Sequence, residues 1–193
     1  ACSVLEEEPA AKETVIEGLG SPEDSYMAYK GRTIRSIQWK GNTVYSDETL
    51  SESFGLKPGD TFDNEVLAEK LSYNQSGQDV TSMYMDIGYL FFTITTVIGP
   101  VAEDQVDVIF TLYEGDTMEI GTVCVTSDVG LQTSLMDYVD IRPGQLFSRS
   151  DLMSNTQNLM AAIEGMDVTV IPTPVPEEGV VNLEFALTKQ EEN

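Results

Sequence analysis

One phrase occurs twice in this chain and constrains its fold more than any other feature. Leu56-Lys57-Pro58-Gly59-Asp60-Thr61-Phe62 recurs as Ile141-Arg142-Pro143-Gly144-Gln145-Leu146-Phe147, 85 positions further on. A β-branched segment precedes each copy, and alternating segments of matching pattern follow at residues 106–112 and 181–187. Repetition of this kind is typical of tandem structural units. We therefore expect two small domains in these 193 residues.

The first unit reads as strand, helix, helix, strand, strand. Its first strand ends at a Gly41-Asn42 turn, and the next helix begins at Ser46 and ends at Gly55. A second helix with a polar break at residues 74–77 ends at Gly88. Residues 89–98 and 105–113 then form the two arms of a hairpin, with residues 99–104 as its loop.

The second unit repeats this order with weaker signals. We expect helices over residues 131–139 and 148–163, and a hairpin that pairs residues 168–175 with 180–188. The expected fold class is α+β, in which each unit is a three-stranded mixed sheet covered by two helices on one face. The expected domains are an acidic tether at 1–31 and folded units at 32–115 and 116–190.

Charge excludes two classes of partner. The chain has 33 acidic and 10 basic side chains, a net charge of −23. Such a surface repels nucleic acid and anionic lipid headgroups, so binding to either is not expected. No apolar stretch approaches the roughly 20 residues of a membrane-spanning helix.

The two cysteines lie in different settings. Ala1-Cys2-Ser3 followed by an acidic run is what remains after a lipoprotein signal is removed, and Cys2 is then the lipidated residue. The alternative is an ordinary cysteine near an arbitrary start. We expect Cys124 to be a plain strand cysteine and do not expect a structural disulfide.

Several spaced motifs of the first unit occur together. They are Trp39-Lys40-Gly41-Asn42-Thr43, Leu56-Lys57-Pro58-Gly59-Asp60, Tyr84-Met85-Asp86-Ile87-Gly88-Tyr89-Leu90-Phe91-Phe92 and Tyr113-Glu114-Gly115. In these motifs the chain resembles POTRA domains, the modules that precede the membrane barrel in BamA-type outer-membrane assembly proteins. The resemblance covers residues 30–188 and is strongest to the last two domains before a barrel. The second unit departs from it, because Ser127-Asp128 replaces the Gly-Asn turn.

Catalysis is not expected from these residues. The chain has no histidine, which removes the commonest general base and metal ligand. The acid pairs Asp60/Asp63, Glu103/Asp104 and Glu177/Glu178 lie in predicted turns or helix starts, where capping and solvation explain them. We expect no enzyme, no metal site and no cofactor.

The resemblance implies capture of extended segments along the second strand by β-augmentation. Its candidate residues carry neither charge nor proline and are Leu90, Phe91, Phe92, Thr93, Ile94, Thr95, Thr96, Val97 and Ile98. Alternation places Phe92, Ile94 and Ile98 toward the helices. The alternative is an edge already covered by a neighbouring segment.

The second unit has Pro172, Pro174 and Pro176 in the corresponding segment. Prolines of one parity can remove the outward donors of an edge strand, so this edge is expected to be blocked. The alternative is a strand that ends at Ile171, with the prolines in a loop.

Two functional hypotheses follow. The first is a non-enzymatic periplasmic POTRA protein of outer-membrane β-barrel assembly, which binds unfolded outer-membrane proteins or other subunits of the assembly machine. It would be held at the outer membrane by a barrel or a lipid. The second is a stand-alone lipidated regulatory or docking protein, which binds the assembly machine or another basic partner through its acidic surface.

Overall fold

The structure, a computed structural model, describes residues 28–71 and 77–190. The expected tether at 1–31 and its Cys2 therefore lie largely or wholly outside the described residues. Internal contacts divide the described chain into two compact units. One comprises residues 28–71, 77–85 and 89–116, and the other comprises residues 86–88 and 117–190.

The first unit contains a three-stranded mixed sheet, as predicted. The strand order is β1-β3-β2, with β1 parallel and β2 antiparallel to the central strand β3. The bounds are β1 Thr33–Lys40, β2 Thr93–Ala102 and β3 Gln105–Tyr113. The predicted second helix is present as two helices on either side of the polar break, so the described unit has three: α1 Asp47–Phe54, α2 Asn64–Leu71 and α3 Val80–Met85.

Local capping explains where α1 begins and ends. The Ser46 hydroxyl accepts a hydrogen bond from the N–H of Thr49 at 3.2 Å, which satisfies one of the helix's free amide donors. Gly55 has φ +77°, and its N–H donates to the carbonyl of Ser51. A left-handed glycine is the common way to end a helix, so both predicted ends of α1 are confirmed.

The core of the first unit is aromatic. Tyr84 and Phe92 stack with ring centroids 4.2 Å apart, and Trp39 lies 4.5 Å from Phe110. Phe54 meets both Trp39 and Phe110 edge to face. Such pairs contribute about 0.5–1.5 kcal/mol beyond the burial of their area, so this cluster fixes the helices on one face of the sheet.

The second unit differs from the prediction in its sheet. It has four strands in the order β5-β4-β7-β6, not three. The bounds are β4 Glu119–Ser127, β5 Gly130–Leu131, β6 Met166–Val175 and β7 Val180–Lys189. The short β5 pairs with the end of β4, with Leu131 opposite Thr126. Leu131 is therefore a strand residue and not part of the helix predicted over residues 131–139.

That predicted helix is instead a six-residue 3₁₀ helix, Thr133–Tyr138. Its preceding residue, Gln132, makes no side-chain capping bond, so nothing local nucleates an α-helix there. The second predicted helix is confirmed as α4, Arg149–Ala162, and a second 3₁₀ turn, Pro176–Glu178, separates β6 from β7.

The repeated phrase has the same role in both units. In the first, Gly59 donates to the carbonyl of Ile34 at 2.8 Å, and the N–H of Ile34 donates to Asp60 at 2.8 Å. In the second, Gly144 donates to Ile120 at 2.8 Å, and Ile120 donates to Gln145 at 2.7 Å. Each phrase therefore pairs with the outer side of its unit's first strand, and the interpretation as a repeat is confirmed.

The expectation for Cys124 is wrong. This β4 residue is buried and disulfide-bonded. Disulfides persist in oxidising compartments, of which the bacterial periplasm is one.

Candidate strand-docking edge

Among the strands that the structure describes, the second strand of the first unit, β2, has a neighbour on one side only. In the order β1-β3-β2 it lies at the end of the sheet and pairs with β3. The strand begins at Thr93 and continues to Ala102. The predicted strand over Leu90–Ile98 therefore begins three residues too early, because Leu90, Phe91 and Phe92 lie in the turn before β2.

The hairpin loop is also shorter than predicted. Only residues 103 and 104 separate β2 from β3, and Gly99 and Pro100 belong to the strand. A register shift between Pro100 and Ala102 leaves Val101 as a bulge. A proline is tolerated in an edge strand when its missing N–H would face away from the sheet.

Hydrogen bonds at the start of β3 show which way the backbone groups of β2 face. The N–H of Thr33 on β1 donates to the carbonyl of Asp104 at 2.8 Å. Backbone groups alternate sides along a strand. The N–H and carbonyl of Val106 therefore also point toward β1, whereas those of Gln105 and Asp107 point toward β2. This alternation continues along β3 to Tyr113, whose backbone groups also point toward β2.

The residues of β2 opposite that second set form the inner ladder. They are Thr93, Thr95, Val97 and Gly99, opposite Tyr113, Thr111, Ile109 and Asp107. The backbone groups of Ile94, Thr96 and Ile98 therefore face outward, with those of Pro100. On this outer side Ile94 and Ile98 present N–H donors, and Pro100 presents only its carbonyl.

The side chains confirm the predicted alternation of faces. Phe92, Ile94 and Ile98 are 0%, 2% and 5% exposed and belong to the hydrophobic core. Val97 is 50% exposed on the opposite, open face of the sheet. A strand docked on β2 would thus meet uncharged side chains at Thr93, Thr95 and Val97, where cross-strand neighbours lie about 4.5–5.5 Å apart.

Farther along this open face, an ion pair joins β1 to the central strand β3. The Arg35 guanidinium donates to both Asp107 oxygens, at 2.9 and 2.5 Å, and the Ser36 hydroxyl donates to Asp107 at 2.7 Å. The hydrogen bonds from Arg35 and Ser36 hold the pKa of Asp107 below its ordinary value. This pairing was not predicted, because the β1 bulge that brings Arg35 beside Asp107 has no clear sequence signal.

The edge strand of the second sheet, β6, includes prolines. Pro172 and Pro174 lie within the strand, opposite Leu183 and Val181, so the alternative in which the strand ends at Ile171 is wrong. Pro176 lies beyond it in a 3₁₀ turn.

The orientation of β6 follows from the same reasoning as that of β2. The N–H of Glu119 on β4 donates to the carbonyl of Gly179 at 3.0 Å. The backbone groups of Val181 and Leu183, two and four residues further on, therefore also point toward β4. The backbone groups of Pro172 and Pro174, opposite them, consequently face outward. The outward N–H groups of Met166, Val168 and Val170 remain, so this edge lacks donors only over its second half.

The described residues provide no assembled chemical centre. Among residues 28–71 and 77–190, no group of three or more Asp, Glu or Cys side chains is placed to hold a metal ion. Tyr84 is fully buried, and burial, with a smaller contribution from Glu114, raises the pKa of its phenol. A buried neutral phenol in an aromatic core serves packing.

No helix in the described part of the chain has the length and apolar character needed to cross a membrane.

Comparison with known families identifies the class of domain. Residues 32–115 match the POTRA family, described as surface antigen variable number repeat. This match and the similarity to two BamA proteins support the predicted resemblance to the POTRA domains of BamA-type proteins.

Two curated proteins similar to this chain are both outer membrane protein assembly factors named BamA. The outer membrane protein assembly factor BamA of Neisseria meningitidis serogroup B is 24% identical over 168 residues, which cover 82% of this chain and 21% of that protein. BamA of Neorickettsia risticii is 28% identical over 167 residues, which cover 81% of this chain and 22% of that protein. The chain thus spans about a fifth of the length of the curated relatives it matches.

A solved structure shows the same fold. The crystal structure of BamA POTRA3-5 from Haemophilus influenzae matches with a TM-score of 0.62 at 18% identity. The match covers 83% of this chain and 67% of that one.

Proposed function

We propose that this chain is a non-enzymatic POTRA protein of outer-membrane β-barrel assembly, acting on the periplasmic side of the outer membrane. It binds extended segments of unfolded outer-membrane proteins, or of assembly subunits, by β-augmentation on β2. The similarity to two outer membrane protein assembly factors supports the process. The division into residues 32–115 and 116–190 is part of the proposal, with the first unit as the binding domain.

One observation carries the binding mode. Among the described strands β2 pairs only with β3, and the N–H groups of Ile94 and Ile98 face its outer side. Unpaired backbone groups on an edge strand are a template for another strand, and main-chain bonds require little from the client sequence. The uncharged side chains of Thr93, Thr95 and Val97 impose no charge repulsion on an incoming segment.

The test removes one outward donor. Ile98→Pro deletes an N–H that faces the client and leaves the inner ladder of Val97 and Gly99 intact. Proline at Thr93 or Thr95 would instead break the inner ladder, because the backbone groups of both residues face β3. Ile98→Ala is the matched control, since the Ile98 side chain is buried and alanine also truncates it but keeps the N–H.

We expect Ile98→Pro to bind an extended peptide from a membrane-barrel strand about tenfold more weakly than Ile98→Ala. One hydrogen bond is worth about 0.5–1.5 kcal/mol, and the ring also obstructs the approaching strand. The measurement is an NMR titration of the labelled protein. Chemical-shift changes on the acidic helices with β2 unaffected would contradict augmentation and favour docking of a basic partner through the acidic surface.

Cys2 is proposed as a lipid anchor, and it lies outside the described residues. Cys124 is disulfide-bonded in this structure and the chain has only two cysteines, so lipidation of Cys2 requires a form of the protein in which Cys124 has no intrachain disulfide. Mass spectrometry of native, membrane-extracted protein distinguishes the two forms. Diacylglycerol on Cys2 is expected, and an unmodified or disulfide-linked Cys2 would refute the anchor.

A further inference from the structure

The outward face of α4, the helix of the second unit, carries no charge. Residues 152–163 contain no Asp, Glu, Lys or Arg, in a chain of which these four types make up 22%. Leu159 faces the core and is buried, whereas Ser154, Gln157 and Met160 are exposed. The solvent side of a surface helix usually carries charged residues, and depletion of charge together with an exposed methionine is typical of the centre of a protein interface.

A shallow cavity of about 370 Å³ lies beside this face. Its lining comprises Asp137, Tyr138 and Asp140 in and after the first 3₁₀ helix, and Asn158, Ala161 and Ala162 on α4. The charged groups of this lining are both carboxylates. Tyr138 is 47% exposed, so its ring is accessible to a group that enters the cavity.

The second unit does not neutralise these carboxylates with its own side chains. Among the residues that the structure describes, neither Asp137 nor Asp140 makes a salt bridge, and the two salt bridges present both lie in the first unit. Arg142, the basic residue nearest in sequence, donates instead to the backbone carbonyls of Val139 and Ile141. The cavity therefore keeps its negative charge beside an uncharged helix face.

We infer that the cavity and the outward face of α4 form a docking surface for a segment of a partner protein that bears an arginine or lysine. The basic head group enters the cavity toward Asp137 and Asp140, next to the ring of Tyr138, and the rest of the segment packs on α4. Complementary charge selects such a segment, and an aromatic face adds a cation–π contribution. Nucleic acid and anionic lipid would be repelled here.

This inference goes beyond the proposed function, because the surface lies in the second unit and does not involve β2. Its test is an NMR titration of the labelled full chain with two capped alanine-rich peptides, which carry arginine or glutamine at the same positions. At about 0.15 M salt the attraction of the net charge is screened over about 8 Å. We expect the arginine peptide to shift the amides of Tyr138, Asn158 and Ala161, and the glutamine peptide to bind about tenfold more weakly.

A pair of double variants separates the cavity from the overall charge. Asp137→Asn with Asp140→Asn should weaken binding of the arginine peptide about three- to tenfold. Glu177→Gln with Glu178→Gln is the matched control, because these exposed residues of the second 3₁₀ turn lie outside the cavity lining in the same unit. It removes the same charge and should leave the affinity within about twofold.

Three results would overturn the inference. They are shift changes spread over the acidic surface of both units, equal weakening by the two double variants, and an arginine peptide that leaves the amides of α4 unchanged. The first two would show attraction by net charge alone. None of them bears on strand docking, which is measured at β2 in the first unit with a peptide from a membrane-barrel strand.

Discussion

Replacing Glu114 tests how the loop between β1 and α1 is held. The Glu114 side chain, 9% exposed, follows β3 and accepts hydrogen bonds from the backbone N–H groups of Thr43 and Val44, the latter at 2.9 Å. Asn42 completes the loop, because its amide donates to the carbonyl of Tyr45 at 2.9 Å. One carboxylate thus ties the loop to the end of the central strand.

The expected cost follows from these two bonds. Hydrogen bonds to a charged group are worth about 1.5–3 kcal/mol each, and two of them would correspond to about 3–6 kcal/mol. Thr43 and Val44 are exposed, so water can replace part of the lost interaction, and we expect Glu114→Ala to lower the free energy of unfolding by about 3 kcal/mol. For a unit of this size that corresponds to a fall in Tm on the order of 10–20 °C.

Urea unfolding followed by tryptophan fluorescence measures this directly. Trp39 is the only tryptophan and is buried in the first unit, so it reports that unit alone. Glu114→Gln is the matched control, and we expect an intermediate loss because its amide oxygen can still accept a hydrogen bond. A change below 0.5 kcal/mol for Glu114→Ala, with unaltered amide exchange at Thr43 and Val44, would refute the reasoning.

Two further outcomes are expected in the first unit. Burial raises the pKa of Tyr84, so the unfolded state loses its phenolic proton first, and the free energy of unfolding falls as the pH rises above about 10. Tyr84→Phe should show a smaller fall between pH 9 and 11, and equal falls would contradict this origin. Gly41→Ala should destabilise more than Gly59→Ala, as measured by urea unfolding. Both glycines have positive φ, but only at Gly41 would the added Cβ overlap the carbonyl oxygen of Leu112. Equal losses would exclude that overlap as the cause.

Local patterns predicted the parts of the fold that depend on neighbouring residues. The caps of α1 at Ser46 and Gly55 are side-chain and backbone preferences within one turn, so the amino-acid sequence is sufficient to place them. The repeated Pro-Gly phrase likewise carries its own turn: Asp60 accepts from the N–H of Lys57 at 2.9 Å, and Gln145 accepts from the N–H of Arg142 at 3.0 Å.

The candidate edge was predicted less completely. Its composition and its alternation of faces were visible in the sequence, because side chains alternate with a period of two in any strand. The ends of the edge strand were not visible in the sequence, since Pro100 is typical of a loop when its hydrogen-bonding neighbours are unknown. A signal was available in the repeat: Pro100 and Pro174 precede the matched valines Val106 and Val181 by similar distances.

The sequence by itself determined that the chain has two related α+β units, which faces of the strands are buried, and which family the first unit resembles. Only the tertiary structure decided which side of β2 the N–H groups of Ile94, Thr96 and Ile98 face, and that Thr93 and Thr95 are unsuitable for the test. It also decided that Glu114 meets Thr43, 71 positions away, and that β5 adds a fourth strand. The physical reason is that strand register and long-range hydrogen bonds depend on partners distant in the chain, whereas alternation and capping do not.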